Sequence, residues 1–173
     1  MKKWLLLLCA LSVTGCAGNE IFKDGFDDEK TWVEVEAQLP EYPKRENFLE
    51  YDSGPNSSNK YYVDEKSILV GGDGVIRFSL IVESSSGAMN VSFEGLRCMT
   101  SERKRYALGQ NNGTWLESHV DDWQLMVNSS QFYALRELAT YYFCPFRNIV
   151  RSEKEAISAL KAGMHPRVRS LRY

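Results

Sequence analysis

Along residues 60–118 apolar and polar side chains alternate in short runs separated by glycine-bearing breaks. In "VIRFSLIVES", Ile76, Phe78, Leu80 and Val82 recur at period two, which lines one face of a half-buried strand. Asp73-Gly74 and Asn112-Gly113 are two-residue signals of the kind that supply positive φ to tight hairpins. "SSSGA", residues 84–88, makes a longer loop between strands. The pattern predicts an antiparallel meander of about five strands, over roughly 60–70, 75–83, 89–98, 103–110 and 114–118.

After the meander the period becomes helical. In "SSQFYALRELATYYF", Phe132, Leu135, Leu138, Ala139 and Tyr142 fall on one stripe, with Arg136, Glu137 and Thr140 opposite. This helix is expected to cover one face of the sheet. A second helix is expected in "SEKEAISALKAG", where Ser152 and Glu155 have the spacing of a capping box and Gly163 stands at the C-terminal cap. Its apolar content is thin, so it is expected at the periphery, followed by a mobile tail, "HPRVRSLRY". The fold class is therefore α+β: the meander, one covering helix, and a peripheral C-terminal helix.

The strand "VSFEGLRCMT" needs a closer reading. Plain alternation puts Val91 and Phe93 on one face and Leu96 and Cys98 on the other. One extra residue at Gly95, as a β-bulge, brings all four inward and turns Glu94 and Arg97 to the opposite face. Arg77 is out of phase with Phe78, so Arg77, Glu94 and Arg97 are expected to share one polar sheet face.

The N-terminus carries different information. Lys2 and Lys3, the apolar run from Trp4 to Leu11 and the small residues before Cys16 have the three-part layout of an export signal. That run is too short to span a bilayer, which needs roughly 20 residues. Val13-Thr14-Gly15-Cys16 resembles the lipobox of bacterial lipoproteins, in which the cysteine is acylated and becomes the first mature residue. An ordinary cleaved secretory peptide, leaving Cys16 as a spare thiol, is the alternative. Several acyl chains on one residue hold far more firmly than one, at about 0.8 kcal/mol per buried methylene. Ala17 and Gly18 follow, where an aspartate would resemble an inner-membrane retention signal, so the expected address is the periplasmic face of the outer membrane.

Of the four cysteines, Cys9 leaves with the signal and Cys16 takes lipid. Cys98 and Cys144 remain, an even pair expected to form a disulfide in an oxidising compartment; a two-cysteine metal site is the alternative. With Lys2 and Lys3 removed, 19 basic residues face 23 acidic ones, and nucleic-acid binding would call for a basic excess. No cofactor is expected. The organisation read from the chain is a signal peptide at 1–15, a lipidated N-terminus and tether at 16–31, a domain at 32–148, and the C-terminal helix and tail at 149–173.

"VDEKSILVGGDGVIRFSLIVESSSGAMNVSFEGLRCMT", Tyr106-Ala107, Gly113 with Trp115, and "YYFCP" resemble the CNP-one-like family of Gram-negative bacterial lipoproteins. The likeness covers about 31–146 and implies an envelope lipoprotein; it brings no catalytic residues with it.

Three kinds of activity fit these readings. Arg77, Glu94 and Arg97 could bind a carboxylate or phosphate, since arginine forks match such groups, or could simply be cross-strand ion pairs. A small periplasmic hydrolase would use Glu94 as general acid or base. A lipid carrier would enclose an apolar cavity, against which the helical stripe from Phe132 to Tyr142 argues. "GGDG", residues 71–74, lacks the lysine and helix of a phosphate loop and reads as a hairpin turn. Ser118, His119, Asp121 and Asp122 do not form a triad, because neighbours in a strand point to opposite faces. The expected role is non-enzymatic binding of a periplasmic protein, a cell-wall polymer or lipid by a protein held to membrane lipid through acylated Cys16.

Overall fold

The computed structural model describes residues 32–55, 57–120, 122–126 and 130–170. Cys16, the signal segment and the tether lie outside them, as do Asp121 and Arg172. From Val33 on the chain forms one unit.

Its centre is an antiparallel sheet whose described strands are β1 (Phe48–Tyr51), β2 (Lys60–Asp64), β3 (Leu69–Val70), β4 (Val75–Glu83), β5 (Met89–Arg97), β6 (Glu102–Gly109), β7 (Trp115–Glu117) and β8 (Gln124–Leu125). The main path runs β1-β2-β4-β5-β6-β7, with β3 on β4 and β8 on β6. The expected first strand, 60–70, is split. Asp64 O accepts from Ser67 N at 3.1 Å and from Ser67 Oγ at 2.8 Å, which turns the chain between β2 and β3. Ser67 Oγ in turn accepts from Ser79 N at 2.7 Å, replacing a ladder bond that the turn removes.

Both faces of the sheet are covered, so β4 is buried continuously from Val75 to Leu80 and on through Ile81. On one face Ile76, Phe78, Leu80, Leu96 and Cys98 pack against the helices. Helix α1 (Tyr133–Leu138) runs into a π-type turn, Ala139–Phe143, and the expected stripe lies in this core with Phe132 at its margin. The π turn, closed by Cys144 N donating to Ala139 O at 2.7 Å, advances the phase by one residue. Tyr142, Phe143 and Cys144 are consequently all buried. Cys144 is bonded to Cys98, with S–S 2.03 Å. In the chain-entropy model, closing a loop of this separation, 46 residues, contributes about 4 kcal/mol.

On the other face lie Arg77, Ser79, Ile81, Val91, Phe93 and Ala107, the residues out of phase with that core. An extended segment, 33–44, straps this face. Trp115 Nε1 donates to Pro40 O at 2.9 Å, Tyr42 Oη donates to Gln110 O at 3.1 Å, and the Tyr42 and Trp115 rings stand 5.3 Å apart.

Two expectations are corrected here. β5 runs without a break against β4, so Val91 and Phe93 do lie on one face and Leu96 and Cys98 on the other. The register shift sits between β5 and β6, where Phe93 faces Ala107 but Glu94 faces Arg105, leaving Tyr106 as the extra residue. A bulge at Gly95 was required only on the premise of one apolar face; the strap supplies a second.

The second correction concerns the C-terminal helix, α2 (Glu153–Lys161), which is not peripheral. Ala156, Ala159 and Leu160 are buried in the main core beside Val150, and Glu153 Oε1 accepts from Val70 N at 2.9 Å. Three small contacts suffice because alanines let the helix approach closely. Ser152 caps α2 by accepting from Glu155 N at 3.3 Å; Glu155 Oε2 reaches back one residue further than a capping box requires, to Arg151 N at 2.7 Å. A short helix, α3 (Pro166–Arg169), follows, and His165 at its start is buried, with its N–H donating to Tyr141 O at 2.8 Å.

Candidate functional site

The bulge at Tyr106 decides where the charges of β6 go. Arg103 stands opposite Leu96 and Arg105 opposite Glu94, so both arginines flank Glu94 on the helix-covered face. Tyr106 instead lies over Gly95, where a Cβ would come within 2.8 Å of its ring.

Glu94 is 1% exposed, and each of its oxygens has a cation. Arg103 Nη1 donates to Oε2 at 3.0 Å and Arg105 Nε donates to Oε1 at 3.1 Å. The Arg103 side chain is 7% exposed and its guanidinium sits 4.6 Å from the centre of the Phe132 ring. The Arg105 side chain is 40% exposed, and no described residue takes its terminal nitrogens. These groups form one end of a cleft of about 520 Å³ between the sheet and the start of α1. Leu80 and Val82 from β4, Leu108 from β6, and Phe132 and Leu135 wall the rest; Tyr61 and Ser57 stand at its side, with their hydroxyls 3.1 Å apart.

Two guanidiniums share one carboxylate, and Glu94 is the one carboxylate among the described lining residues. The cleft therefore carries an excess positive charge beside apolar walls, where poor screening strengthens its attraction for an anion. The volume falls in the range of small-molecule sites. With both oxygens bound, Glu94 acts as a bracket that orients Arg105.

The expected trio of Arg77, Glu94 and Arg97 is not brought together. Phe78 is the residue across from Glu94, and Gly95 is across from Arg77, so Arg77 faces the strap. It is 1% exposed and bonds Asp73 through Nη2 at 2.7 Å and Nη1 at 3.3 Å, with Nη2 also donating to Val35 O at 2.7 Å. Val35 N donates to Asp73 Oδ2 at 2.9 Å, closing the ring. Beside it Glu34 accepts from the Tyr106 hydroxyl at 2.7 Å, Trp123 Nε1 at 3.1 Å and Lys104 Nζ at 3.2 Å. Burial by itself would raise the carboxyls of Asp73 and Glu34, but these donors outweigh it and hold both below their ordinary values. Burial, together with the bond to Glu34, pushes the Tyr106 hydroxyl far above the usual phenol range. Arg97 bonds Glu102 at 3.5 Å on the strap-covered face of the sheet. Arg77 thus fastens the strap.

"GGDG" is a hairpin turn, with Gly74 at φ 79° and Gly71 N donating to Val75 O at 2.8 Å; its Asp73 is the strap's anchor. Ser118 Oγ accepts from Val120 N at 3.2 Å. Among the described residues no helix is long and apolar enough to cross a membrane. Arg103 and Arg105 were the residues that sequence reasoning missed. Their signal was the period-two spacing in "ERKRY", which reads as an ordinary solvated strand face until the partner carboxylate is known.

In comparison with known proteins, residues 27–161 fit the model of the CNP1-like family. No curated protein and no solved structure matches the chain.

Proposed function

The chain belongs to the CNP1-like family, and from that premise we propose that it is a lipid-anchored protein of the cell envelope that works by binding. Acylated Cys16 holds it on the periplasmic face of the outer membrane, and the cleft at Arg105 takes the ligand. The observation that carries this reading is the pair of guanidiniums on Glu94. A hydrolase would need a carboxylate able to take or give a proton in contact with substrate; in the cleft that carboxylate is already bonded at both oxygens. The envelope address is supported by the lipobox-like Val13-Thr14-Gly15-Cys16 and by the disulfide, a bond suited to an oxidising compartment.

Each half has its own experiment. Cys16→Ser should move the protein from the membrane fraction to the soluble periplasm and abolish palmitate labelling; pelleting retained without label would overturn the anchor. For the cleft, a photo-cross-linking residue at Leu108, 41% exposed, should capture a discrete adduct in cells that Arg105→Gln removes. An adduct pattern indifferent to Arg105→Gln would overturn the cleft as the binding site.

A further inference from the structure

We propose that the occupant of the cleft is an amphiphile with one anionic head, carboxylate or phosphate, on an unbranched apolar chain. The proposal rests on the binding reading above and names its ligand class.

The head is assigned by the arginines. Arg105 is held through Nε by Glu94, which leaves the fork of its two terminal nitrogens for another acceptor. A fork held in that way matches a carboxylate or phosphate edge in a bidentate fashion, whereas a lysine would offer only a point charge. Behind it, Arg103 is 6% exposed and its Nε is buried without a partner. Its Nη1 holds Glu94 Oε2 from that side. The charge count agrees, since Glu94 neutralises one of the two cations and the second remains for an anionic head.

The body is assigned by what lies beyond the arginines. Leu80, Val82, Leu108, Phe132 and Leu135 supply the apolar part of the lining, beside the polar side chains of Asn90, Ser92 and Gln131. Leu108 keeps 41% of its surface exposed at the rim, where a chain leaving the cleft would cover it. Each methylene that a hydrocarbon chain buries against these apolar residues adds to the binding.

The test uses the full-length chain carrying Cys16→Ser, purified from the periplasm, titrated below their micellar concentrations with dodecyl phosphate, dodecanoate, dodecanol and inorganic phosphate. Amide NMR follows Leu80, Val82 and Ser92. At least one of the two anionic chains should shift these amides and bind about tenfold or more tighter than dodecanol, and Arg105→Gln should weaken it by about that factor while Arg105→Lys restores only part. The stronger of dodecyl phosphate and dodecanoate identifies the head. Dodecanol binding as tightly as either anion would overturn the role given to the arginines. Inorganic phosphate binding as tightly as dodecyl phosphate would overturn the chain, leaving a small-anion site and the binding reading intact. Unmoved cleft amides with every probe would overturn both.

Discussion

Arg77 and Glu94 sit on adjacent strands, one step out of register, with their side chains on opposite faces of the sheet. Each is 1% exposed, and each is neutralised without the other. Arg77 closes the ring with Asp73 and the Val35 backbone, while Glu94 brackets Arg103 and Arg105. Two independent buried ion clusters therefore flank one sheet: the first secures the strap, and the second builds the cleft.

Arg77→Met should separate the two. It leaves the Asp73 carboxylate buried without its cation, and breaking a buried pair in this way costs about 3–5 kcal/mol. Urea unfolding should report that loss. In native-state hydrogen exchange the Val35 amide, which donates to Asp73, should lose protection, with the cleft amides of Leu80 and Ser92 little changed. Equal loosening on both faces would mean that the clusters are coupled.

The same cluster makes stability fall in acid. Asp73 and Glu34 have folded values below their ordinary 3.8 and 4.5, so the native state binds fewer protons than the unfolded chain. Their contribution is present above those ordinary values and is lost as pH falls through the lowered folded ones. Urea midpoints measured from pH 6 downward should hold until about pH 4.5 and then decline, and Arg77→Met should flatten the decline. Tyr106 has the opposite sign: its raised value makes its contribution full below 10.0 and lost only as pH climbs beyond.

Much of this fold was legible from period and turn chemistry, because those signals are local. The hairpin strands, the stripe from Phe132 to Tyr142 and the Ser152 cap needed no knowledge of what lies across the sheet, and the pairing of Cys98 with Cys144 followed from counting cysteines. The short strands β1 and β8 were not legible; neither four nor two residues give a period to read. The deeper miss was the strap. Residues 33–44 hold no regular element, yet they lie across a sheet face, and on the premise of a single apolar face Val91 and Phe93 call for a bulge at Gly95. Once the face is covered, plain alternation is correct and Glu94 moves to the cleft. The family likeness was readable from the chain itself, and the arginines that build the site were hidden in an ordinary-looking "ERKRY".

Gly95→Ala tests that revised register. In the alternative register, with a bulge at position 95, a methyl group would meet little. In the observed one its Cβ would lie 2.8 Å from both the ring edge and the hydroxyl oxygen of Tyr106, and Tyr106 has little room to yield because its hydroxyl is bonded to Glu34 at 2.7 Å. Overpacking of this kind costs about 1–3 kcal/mol. The loss should shrink in a Tyr106→Ala background, where the obstructing ring is gone; a double-mutant cycle gives the coupling.

Leu160→Ala decides whether the C-terminal helix belongs to the domain. A helix with a mean hydropathy as low as that of α2 reads as a surface attachment, and truncating one of its side chains should then cost only about half a kcal/mol, as at other surface positions. Leu160 is 3% exposed and shares the main core with Leu138, Tyr142 and Phe143. Removing its three buried carbons leaves a cavity against the π turn, and such truncations cost about 2–5 kcal/mol. The side chain matters more than its helix's composition implies, because Ala156 and Ala159 draw α2 close enough for one leucine to reach the core. Thermal and urea unfolding should both show a single transition shifted downward. If α2 were a separate attachment, the main transition would stay in place.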